Sequence, residues 1–134
     1  MKNVYNLFLV AFFTLIALAS GVESTPEVSS SSPAEVVIRA SDLYAAYQAN
    51  EIAADELYKG KLIEVSGTIR DIGNDLMDEP YITLAGDDFI GDVQCFMSSK
   101  SEAAKLSKGQ NVTVKGYCDG LFMNVLIQNS ILVE

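Results

Sequence analysis

Apolar and polar side chains alternate in five separate segments that begin near the middle of the chain. In the first segment, Ile63, Val65 and Ile69 occupy every second position, and Gly67 stands in the same series. A period of two residues indicates a strand with one buried face, and a glycine in that face allows a short strand to coil sharply. The five strands are predicted at 61–70, 81–85, 90–97, 111–117 and 122–133.

Two stretches of helical sequence accompany these strands. Ser41 is predicted to cap a helix in which Tyr44 and Tyr47 lie on one face, and a further helical turn follows at 53–58. Residues 101–108 predict one or two helical turns between the third and fourth strands, ending at a glycine. We expect the two tyrosines to pack against the sheet. Stacking on a ligand is the alternative role.

The first 19 residues predict an export signal rather than part of the fold. Lys2 precedes an apolar run that ends in small residues at Ala19, where we place the cleavage. The run is shorter than the ~20 apolar residues that usually cross a bilayer, so a retained anchor is the weaker alternative. Gly21 stands where a bacterial lipoprotein would carry its lipidated cysteine. We therefore expect an exported protein (periplasm, envelope or secreted) that is not a lipoprotein and meets a membrane only through an uncleaved signal.

Residues 20–38 are rich in serine and include two prolines, and they are predicted to form a flexible tether. This segment has too few apolar side chains to offset the entropy that is lost when a chain becomes ordered. A single folded domain is expected at 39–134, a length that suffices for one hydrophobic core.

The net charge of the chain argues against polyanionic partners. The 134 residues include 18 acidic and 9 basic side chains, a formal net charge of −9. Removal of residues 1–19 takes away one basic residue, Lys2, so 8 basic side chains face 18 acidic ones and the net charge becomes −10. Nucleic acids are bound largely by neutralising phosphates with lysine and arginine. A nucleic-acid partner is therefore disfavoured, and the charge is explained more simply by solubility.

The two cysteines, Cys95 and Cys118, allow a single disulfide. An exported protein reaches a compartment in which a disulfide persists. A bridge requires Cα atoms within about 7 Å of each other, which the sequence does not specify. The alternative, two small buried apolar side chains, stays equally open.

Five strands with a helix between the third and fourth is the layout of the OB-fold, a partly open Greek-key barrel. The strand and turn motifs Tyr58-Lys59-Gly60-Lys61, Val93-x-Cys95-Phe96 and Lys108-Gly109-Gln110 resemble the exported OB-fold proteins of the tRNA-anticodon-domain-like family, over residues 41–133. The resemblance implies an all-β fold with short helices: a five-stranded Greek-key barrel, an N-terminal helix, and a short helix between strands three and four. It implies no particular ligand, because one fold serves many functions.

The residues that usually carry catalysis are missing from the sequence. Histidine is absent, which removes the commonest general base at neutral pH and any Ser-His or Cys-His nucleophile. The carboxylates at 71–79 fall in a polar turn, and their spacing departs from that of a calcium-binding loop. We predict no catalytic residue, no cofactor and no metal site. A weak cation site shared with Asp87, Asp88 or Asp92 is the alternative.

Binding through one face of the barrel is the function that the fold favours. OB barrels hold ligands across strands two and three, between the loops that join strands one to two and four to five. Tyr81 and Phe96 suit stacking on bases or sugars. Coverage of their rings by the N-terminal helix is the alternative that we favour. The outward candidates for this face are Tyr81, Thr83, Gln94, Phe96 and, near the last loop, Phe122.

The sequence thus predicts a non-enzymatic, exported OB-fold protein that binds an unknown protein or small ligand. Two alternatives stay open. Binding of single-stranded nucleic acid is motivated by the fold and the aromatic side chains. An envelope module for cations or stress is motivated by the acidic loops.

Overall fold

The structure is a computed structural model that describes residues 26–87 and 91–133. The predicted signal at 1–19 and the first residues of the predicted tether lie outside the described residues. Residues 88–90, which include the first residue of the predicted third strand and Asp88 of the cation alternative, also lie outside them. Within the described ranges, no helix is long and apolar enough to cross a membrane.

Six strands and three short helices follow one another within the described residues. The strands are β1 (Val36–Arg39), β2 (Leu62–Asn74), β3 (Pro80–Ala85), β4 (Asp92–Met97), β5 (Asn111–Phe122) and β6 (Asn124–Val133). The helices are α1 (Ala40–Ala49), α2 (Glu51–Tyr58) and α3 (Lys100–Ala103). Strands β2 to β6 correspond in order to the five predicted strands, and α3 lies between the third and fourth of them.

Strands β2 to β6 close into a barrel. Neighbouring strands follow the order β1-β2-β3-β4-β6-β5, and a further pairing of β2 with β5 completes the ring. Every pairing within the barrel is antiparallel except that of β4 with β6. β2 is long enough to serve two neighbours, β5 along its first half and β3 along its second. This closed five-stranded barrel confirms the predicted OB-fold.

The alternating apolar side chains meet inside the barrel. Ile63, Val65 and Ile69 of β2 are almost completely buried. Tyr44 and Tyr47 of α1 belong to the same cluster, so the helix packs on the core as predicted. Other members come from each remaining barrel strand: Ile82, Leu84, Val93, Cys95, Met97, Val114, Cys118, Val125 and Ile127.

The chain joins the sheet earlier than the sequence suggests. β1 pairs in parallel with the first half of β2, with Val36 opposite Ile63. Val36 and Ile38 pack against the core, whereas Val37 is exposed. Three residues of the predicted tether therefore lie in a strand. Along the first half of β2, the edge opposite to β5 is not paired with β3. The short alternating segment β1 pairs with this edge.

Helix α1 begins earlier than predicted. Ser41 lies inside the helix, and Arg39 is the N-cap, without a capping hydrogen bond from its side chain. Instead the Arg39 guanidinium donates from Nε to Asp42 Oδ2 at 2.9 Å. Because β1 runs directly into α1, the last strand residue takes the capping position. The next helix, α2, is capped conventionally: Asn50 Oδ1 accepts from the N–H of Ala53 at 3.1 Å.

Strands β5 and β6 meet in a tighter hairpin than predicted. The predicted turn at Asp119 and Gly120 lies within β5, where the strand register shifts beside Gly120. Gly120 has a φ of 88°, so it forms a bulge rather than a turn. Phe122 pairs with Asn124, which leaves Met123 alone at the tip with a φ of 61°.

A short N-terminal strap, residues 28–32, lies across the outside of β5. Val28 in this strap is buried. Lys115 of β5 is only 3% exposed, and its Nζ donates to the carbonyl oxygens of Ser30 at 2.9 Å and Ser32 at 2.6 Å. A buried ammonium group needs such partners, because removing its charge from water is costly. The strap therefore supplies acceptors for a charge that β5 buries.

Cys95 and Cys118 are free thiols, and both are buried. They pair with Ile127 from opposite sides, Cys95 on β4 and Cys118 on β5. Two strand spacings, about 9–10 Å in all, therefore separate their Cα atoms, which exceeds the ~7 Å reach of a disulfide. The structure contradicts the bridge and supports the alternative of two buried apolar side chains.

Both thiols are expected to resist iodoacetamide in the folded protein at pH 8 and to react once urea is added, without any reductant. Burial raises the pKa of the Cys95 thiol and of the Cys118 thiol, so neither provides a reactive thiolate. Mass spectrometry should count two modified cysteines after unfolding, and none would be modified if a bridge joined Cys95 and Cys118.

The same pKa shifts predict a loss of stability at high pH. A thiol whose pKa is raised by folding binds its proton more tightly in the folded state than in the unfolded state. The unfolded thiols ionise above about pH 8.5, so the free energy of unfolding should fall by about 1.4 kcal/mol per pH unit for each of them. Replacing both residues by alanine should flatten this slope in urea titrations between pH 8 and 10.

Candidate ligand-binding face

The outward side chains of β2, β3 and β4 form one continuous surface. Directly opposed residues of neighbouring strands share a face of the sheet. We name this outer surface the ligand face, and it consists of two cross-strand rows: Gly73, Tyr81 and Phe96 in the first, and Asp71, Thr83 and Gln94 in the second. Four of the five candidates from the sequence therefore lie together.

The aromatic row is preformed. The rings of Tyr81 and Phe96 are 6.4 Å apart between centroids, at an interplanar angle of 65°. This edge-to-face arrangement is favourable for two aromatic rings. The Tyr81 ring also lies over Gly73, since a Cβ atom placed there would come within 3.0 Å of the phenolic oxygen. Both rings remain partly exposed, so the row offers apolar contact area to a ligand.

Helix α1 lies away from this aromatic row. The Tyr44 ring contacts Gly86 and Gly91, at the turn that joins β3 to β4. Tyr81 and Phe96 lie at the opposite end of the same two strands. The coverage by α1 that we favoured from the sequence is therefore wrong. The tyrosines of α1 enter the core instead, because the apolar side chains at the end of the barrel would otherwise be left uncovered.

The second row contains a buried hydroxyl without a partner. Thr83 is 6% exposed, and its Oγ1 makes no hydrogen bond to any part of the chain that the structure describes. Its cross-strand neighbour Gln94 accepts a hydrogen bond at Oε1 from Asn124 Nδ2, at 3.2 Å. Asn124 of β6 therefore extends the ligand face. The sequence did not reveal this residue, since the hairpin that presents it was predicted to turn elsewhere.

Replacing Thr83 by valine is expected to raise the free energy of unfolding by about 1 kcal/mol. Valine keeps the shape of threonine but removes a hydroxyl whose burial without a partner is unfavourable. Thr68→Val is the matched control, because Thr68 Oγ1 donates to Asn111 Oδ1 at 2.6 Å and its removal should instead destabilise the protein. Urea unfolding of both variants measures the difference, and a destabilised Thr83→Val variant would contradict the expectation.

The basic side chains next to the ligand face are already paired. Arg70 donates to the carboxylate of Asp92 at 2.5 Å and to the backbone oxygen of Asp87. The remaining pairs are Lys100 with Asp78 at 2.6 Å and Lys108 with Asp71 at 3.0 Å. The hydrogen bond from Lys108, with a smaller contribution from the N–H of Ile72, lowers the pKa of the Asp71 carboxyl. A polyanion would have to compete with these carboxylates for each cation.

Phe122 is separate from the other four candidates. It lies at the end of β5 and is 75% exposed, without a contact to the aromatic row. Its cross-strand partner is Asn124, whose side chain reaches Gln94, so Phe122 stands on the same outer side of the barrel at the border of the ligand face. The structure thus places it beside the face rather than within it.

The acidic loop between β2 and β3 uses its carboxylates to hold its own shape. Asp75 Oδ1 accepts from the N–H groups of Met77 at 2.8 Å and Glu79 at 2.9 Å. Asp78 pairs with Lys100. Across residues 26–87 and 91–133, no group of three or more His, Cys, Asp or Glu side chains is arranged to hold a metal ion. The described geometry therefore gives the cation alternative no support.

One depression in the described surface lies away from the ligand face. It measures about 670 Å³ and is bordered by polar and apolar residues of β2, β5 and β6, including Ser66, Thr68 and Leu132. A depression of about 360 Å³ adjoins Phe96. This second depression also touches Asp78, Pro80 and Lys100, so it adjoins the ligand face at the end where the aromatic row lies.

The closed five-stranded barrel, with its parallel pairing of β4 and β6, defines an OB-fold domain. The model of the tRNA_anti-like family matches residues 3–132, and the chain belongs to this family, which confirms the resemblance inferred from the sequence.

Among solved structures, the chain is similar to a candidate nucleic acid-binding lipoprotein from Klebsiella pneumoniae subsp. pneumoniae MGH 78578. The two chains are 21% identical and superpose with a TM-score of 0.58, over 72% of this chain and 91% of the other. At this identity the likeness shows the fold alone. Among curated proteins, none matches the sequence.

Proposed function

We propose that this protein is an exported, non-enzymatic binding protein that holds a protein or small ligand on its ligand face. The observation that carries the proposal is the partly exposed edge-to-face pair of Tyr81 and Phe96, which shares one outer surface with Asp71 and Gln94. The rings offer contact to a planar or ring-shaped apolar group.

The ligand is uncharged or cationic in this proposal. Arg70, Lys100 and Lys108 border the face, but each is paired with a carboxylate. The chain as a whole is acidic. A neutral ring, such as a sugar, or an aromatic or basic side chain of a polypeptide meets this surface without having to displace the existing ion pairs.

Export of the protein is supported by two separate features. The first is the basic residue and apolar run at 1–19. The second is that the similar K. pneumoniae protein is a lipoprotein. Gly21 supports export without lipid attachment, since a thiol is needed there to carry the lipid.

A role without catalysis is supported by the chemistry of the side chains. The sequence contains no histidine. Burial raises the pKa of Cys95 and of Cys118, which makes both thiols poor nucleophiles. Burial, with the neighbouring Cys118 and Asp55, likewise raises the pKa of Tyr47, whose hydroxyl donates to Asp55 at 3.0 Å. These groups act in packing.

Binding of single-stranded nucleic acid is the second candidate function. It is favoured by the aromatic row, since exposed rings stack on bases, and by the description of the similar K. pneumoniae protein as a candidate nucleic acid-binding lipoprotein. The paired cations around the face count against it, because phosphate contacts supply most of the affinity for nucleic acids.

An NMR titration tests both functions. The sample is the 15N-labelled processed chain, that is, the chain without the predicted signal at 1–19. The probes are chitotetraose, the tripeptide Lys-Trp-Lys and the oligonucleotide dT12, each added at low salt. We expect chitotetraose or Lys-Trp-Lys to shift the amide signals of Tyr81, Thr83, Gln94 and Phe96. The double variant Tyr81→Leu/Phe96→Leu should lose this response, whereas Ile52→Ala, a change at an exposed apolar residue of α2, should keep it.

The outcomes separate the two candidate functions. Binding of dT12 that weakens steeply as salt is added, without a response to the other probes, would favour the nucleic-acid function. Shifts confined to residues outside the ligand face, or no shift with any of the three probes, would overturn the proposal.

A further inference from the structure

We propose that the two hairpin tips bordering the ligand face act as a pair of apolar anchors for an extended, basic segment of a protein partner. The first anchor consists of Leu76 and Met77 in the β2–β3 loop, and the second of Phe122 and Met123 at the β5–β6 hairpin. The inference deepens the proposed function and rests on it, because the partner segment would cross the ligand face between the anchors.

The anchors concentrate exposed apolar surface at two points. Leu76 is fully exposed, Met77 is 81% exposed and Met123 is 87% exposed. Together with Phe122 they make up four of the seven large apolar side chains that are exposed in the part of the chain that the structure describes. Scattered exposed apolar residues are ordinary, whereas clusters of them beside a binding face indicate contact with a partner.

The first anchor is held in place before any partner binds. Asp75 Oδ1 accepts from two N–H groups of the loop, and the N–H of Asp75 donates to the carbonyl oxygen of Glu79 at 3.0 Å. These bonds close the loop on itself and fix the backbone of Leu76 and Met77. A preformed loop loses little conformational freedom on association, so more of the contact energy appears as affinity.

The second anchor includes a residue with a strained backbone conformation. Met123 has a φ of 61°, a conformation that glycine adopts readily and methionine does not. Only three non-glycine residues in the described chain have a positive φ, and another of them, Asp78 at 63°, lies in the loop of the first anchor. Strained backbone persists where the side chain is useful. A methionine at this tip is explained by contact with a partner.

The spacing of the anchors fits an extended polypeptide. The first lies beside Pro80 at the start of β3, and the second beside Asn124, whose Oδ1 accepts from the N–H of Asp92 at the start of β4. Pro80 stands opposite Met97, so five residues along β4 and two strand spacings across the sheet separate these points, about 15–20 Å. A fully extended chain covers that distance with about five or six residues.

The charge near the first anchor selects a basic partner. Asp75, Asp78 and Glu79 surround Leu76 and Met77, and Lys100 is the basic side chain paired with this group. An acidic surface repels an anionic membrane or a nucleic acid, which leaves a polypeptide that combines apolar and basic side chains as the matching occupant.

The test uses the peptide Leu-Leu-(Lys-Thr)3-Leu-Leu, in which six residues separate two apolar ends. We expect it to shift the amide signals of both anchors and of the ligand face in the 15N-labelled processed chain. Met77→Ser and Met123→Gly should each weaken binding about tenfold. Met123→Gly should also keep or raise the melting temperature, which excludes misfolding as the cause. Val37→Ser and Ile52→Ser, at exposed apolar residues elsewhere, serve as matched controls without effect.

Several results would overturn this inference. The first is that the protein binds the same peptide with glutamate in place of lysine just as tightly. The second is that the Met77→Ser and Met123→Gly variants keep full affinity for the peptide. The others are that the protein does not bind the peptide at millimolar concentration, or that it binds phosphatidylcholine vesicles in preference to the peptide. Peptide binding that needs Tyr81 and Phe96 but neither anchor would leave the proposed function standing while removing the anchors. Binding that needs the anchors but neither aromatic ring would confirm the anchors and remove the ligand face as the binding surface.

Discussion

Replacing Gly116 by alanine should lower the free energy of unfolding by about 3 kcal/mol. Gly116 is buried in β5, where β6 passes close by. A Cβ atom there would lie 2.6 Å from the carbonyl oxygen of Gln128 and 2.7 Å from Cγ2 of Ile127. Strand β6 pairs with both β4 and β5, so it cannot move aside without breaking one of the two pairings.

Gly109→Ala is the control for this prediction. Gly109 has a φ of 86°, and no atom lies within 4 Å of a Cβ placed there, so its replacement costs only the backbone strain, about 1 kcal/mol. Urea unfolding of both variants, with unchanged m-values, isolates the packing effect at Gly116. Equal losses of stability would show that β6 tolerates a side chain at this point.

Lys115→Met should release the strap of residues 28–32 and cost about 2 kcal/mol of stability. The variant keeps an apolar stem of similar length but removes the donor that holds the carbonyl oxygens of Ser30 and Ser32. Hydrogen bonds from a charged group contribute about 1.5–3 kcal/mol each. The variant loses less stability than the sum of both bonds, because methionine brings no charge into the interior.

Hydrogen exchange distinguishes release of the strap from general destabilisation. The amide of Ser32, which donates to the carbonyl oxygen of Ser29 at 3.1 Å, should lose protection in Lys115→Met while amides at the centre of β6 keep theirs. Lys105→Met, at an exposed lysine, should change the free energy of unfolding by less than about 0.5 kcal/mol. Unchanged protection at Ser32 would show that the strap is held by other contacts, such as that of Val28.

The ligand face and the charged residues around it favour different classes of partner. The fold and the aromatic row match a surface on which single-stranded nucleic acids stack, whereas Arg70, Lys100 and Lys108 already neutralise nearby carboxylates. The two apolar anchors add a feature that phosphate recognition does not need. A basic and apolar polypeptide uses all of these features together, and for this reason we place it ahead of a nucleic acid.

Much of the fold could be predicted from the sequence because the barrel strands alternate so regularly. Ile63, Val65 and Ile69 indicated the buried face of β2, and the segments predicted as strands at 81–85 and 90–97 correspond to β3 and β4. The same alternation placed Tyr81, Thr83, Gln94 and Phe96 on one outer surface, and the strand pairing of the structure brings these four together. Side-chain periodicity is a local property, so it can be read without knowing which strands become neighbours.

The features that the sequence did not reveal depend on contacts between distant segments. β1 forms because the first half of β2 has a free edge, and the strap is ordered because Lys115 lies beneath it. The proposed bridge between Cys95 and Cys118 fails because β6 is inserted between their strands. α1 turns its tyrosines into the core and leaves the aromatic row open.

The sequence by itself determined the class of the fold, the net charge, the absence of histidine and the outward position of the aromatic residues, since each of these follows from residue identity or from a period of two. Only the tertiary structure decided that the aromatic row is uncovered, that its neighbouring cations are paired, and that Leu76, Met77, Phe122 and Met123 stand at two tips beside one face. Such facts depend on strand order and register, which are set by the packing of the whole barrel and not by any one segment.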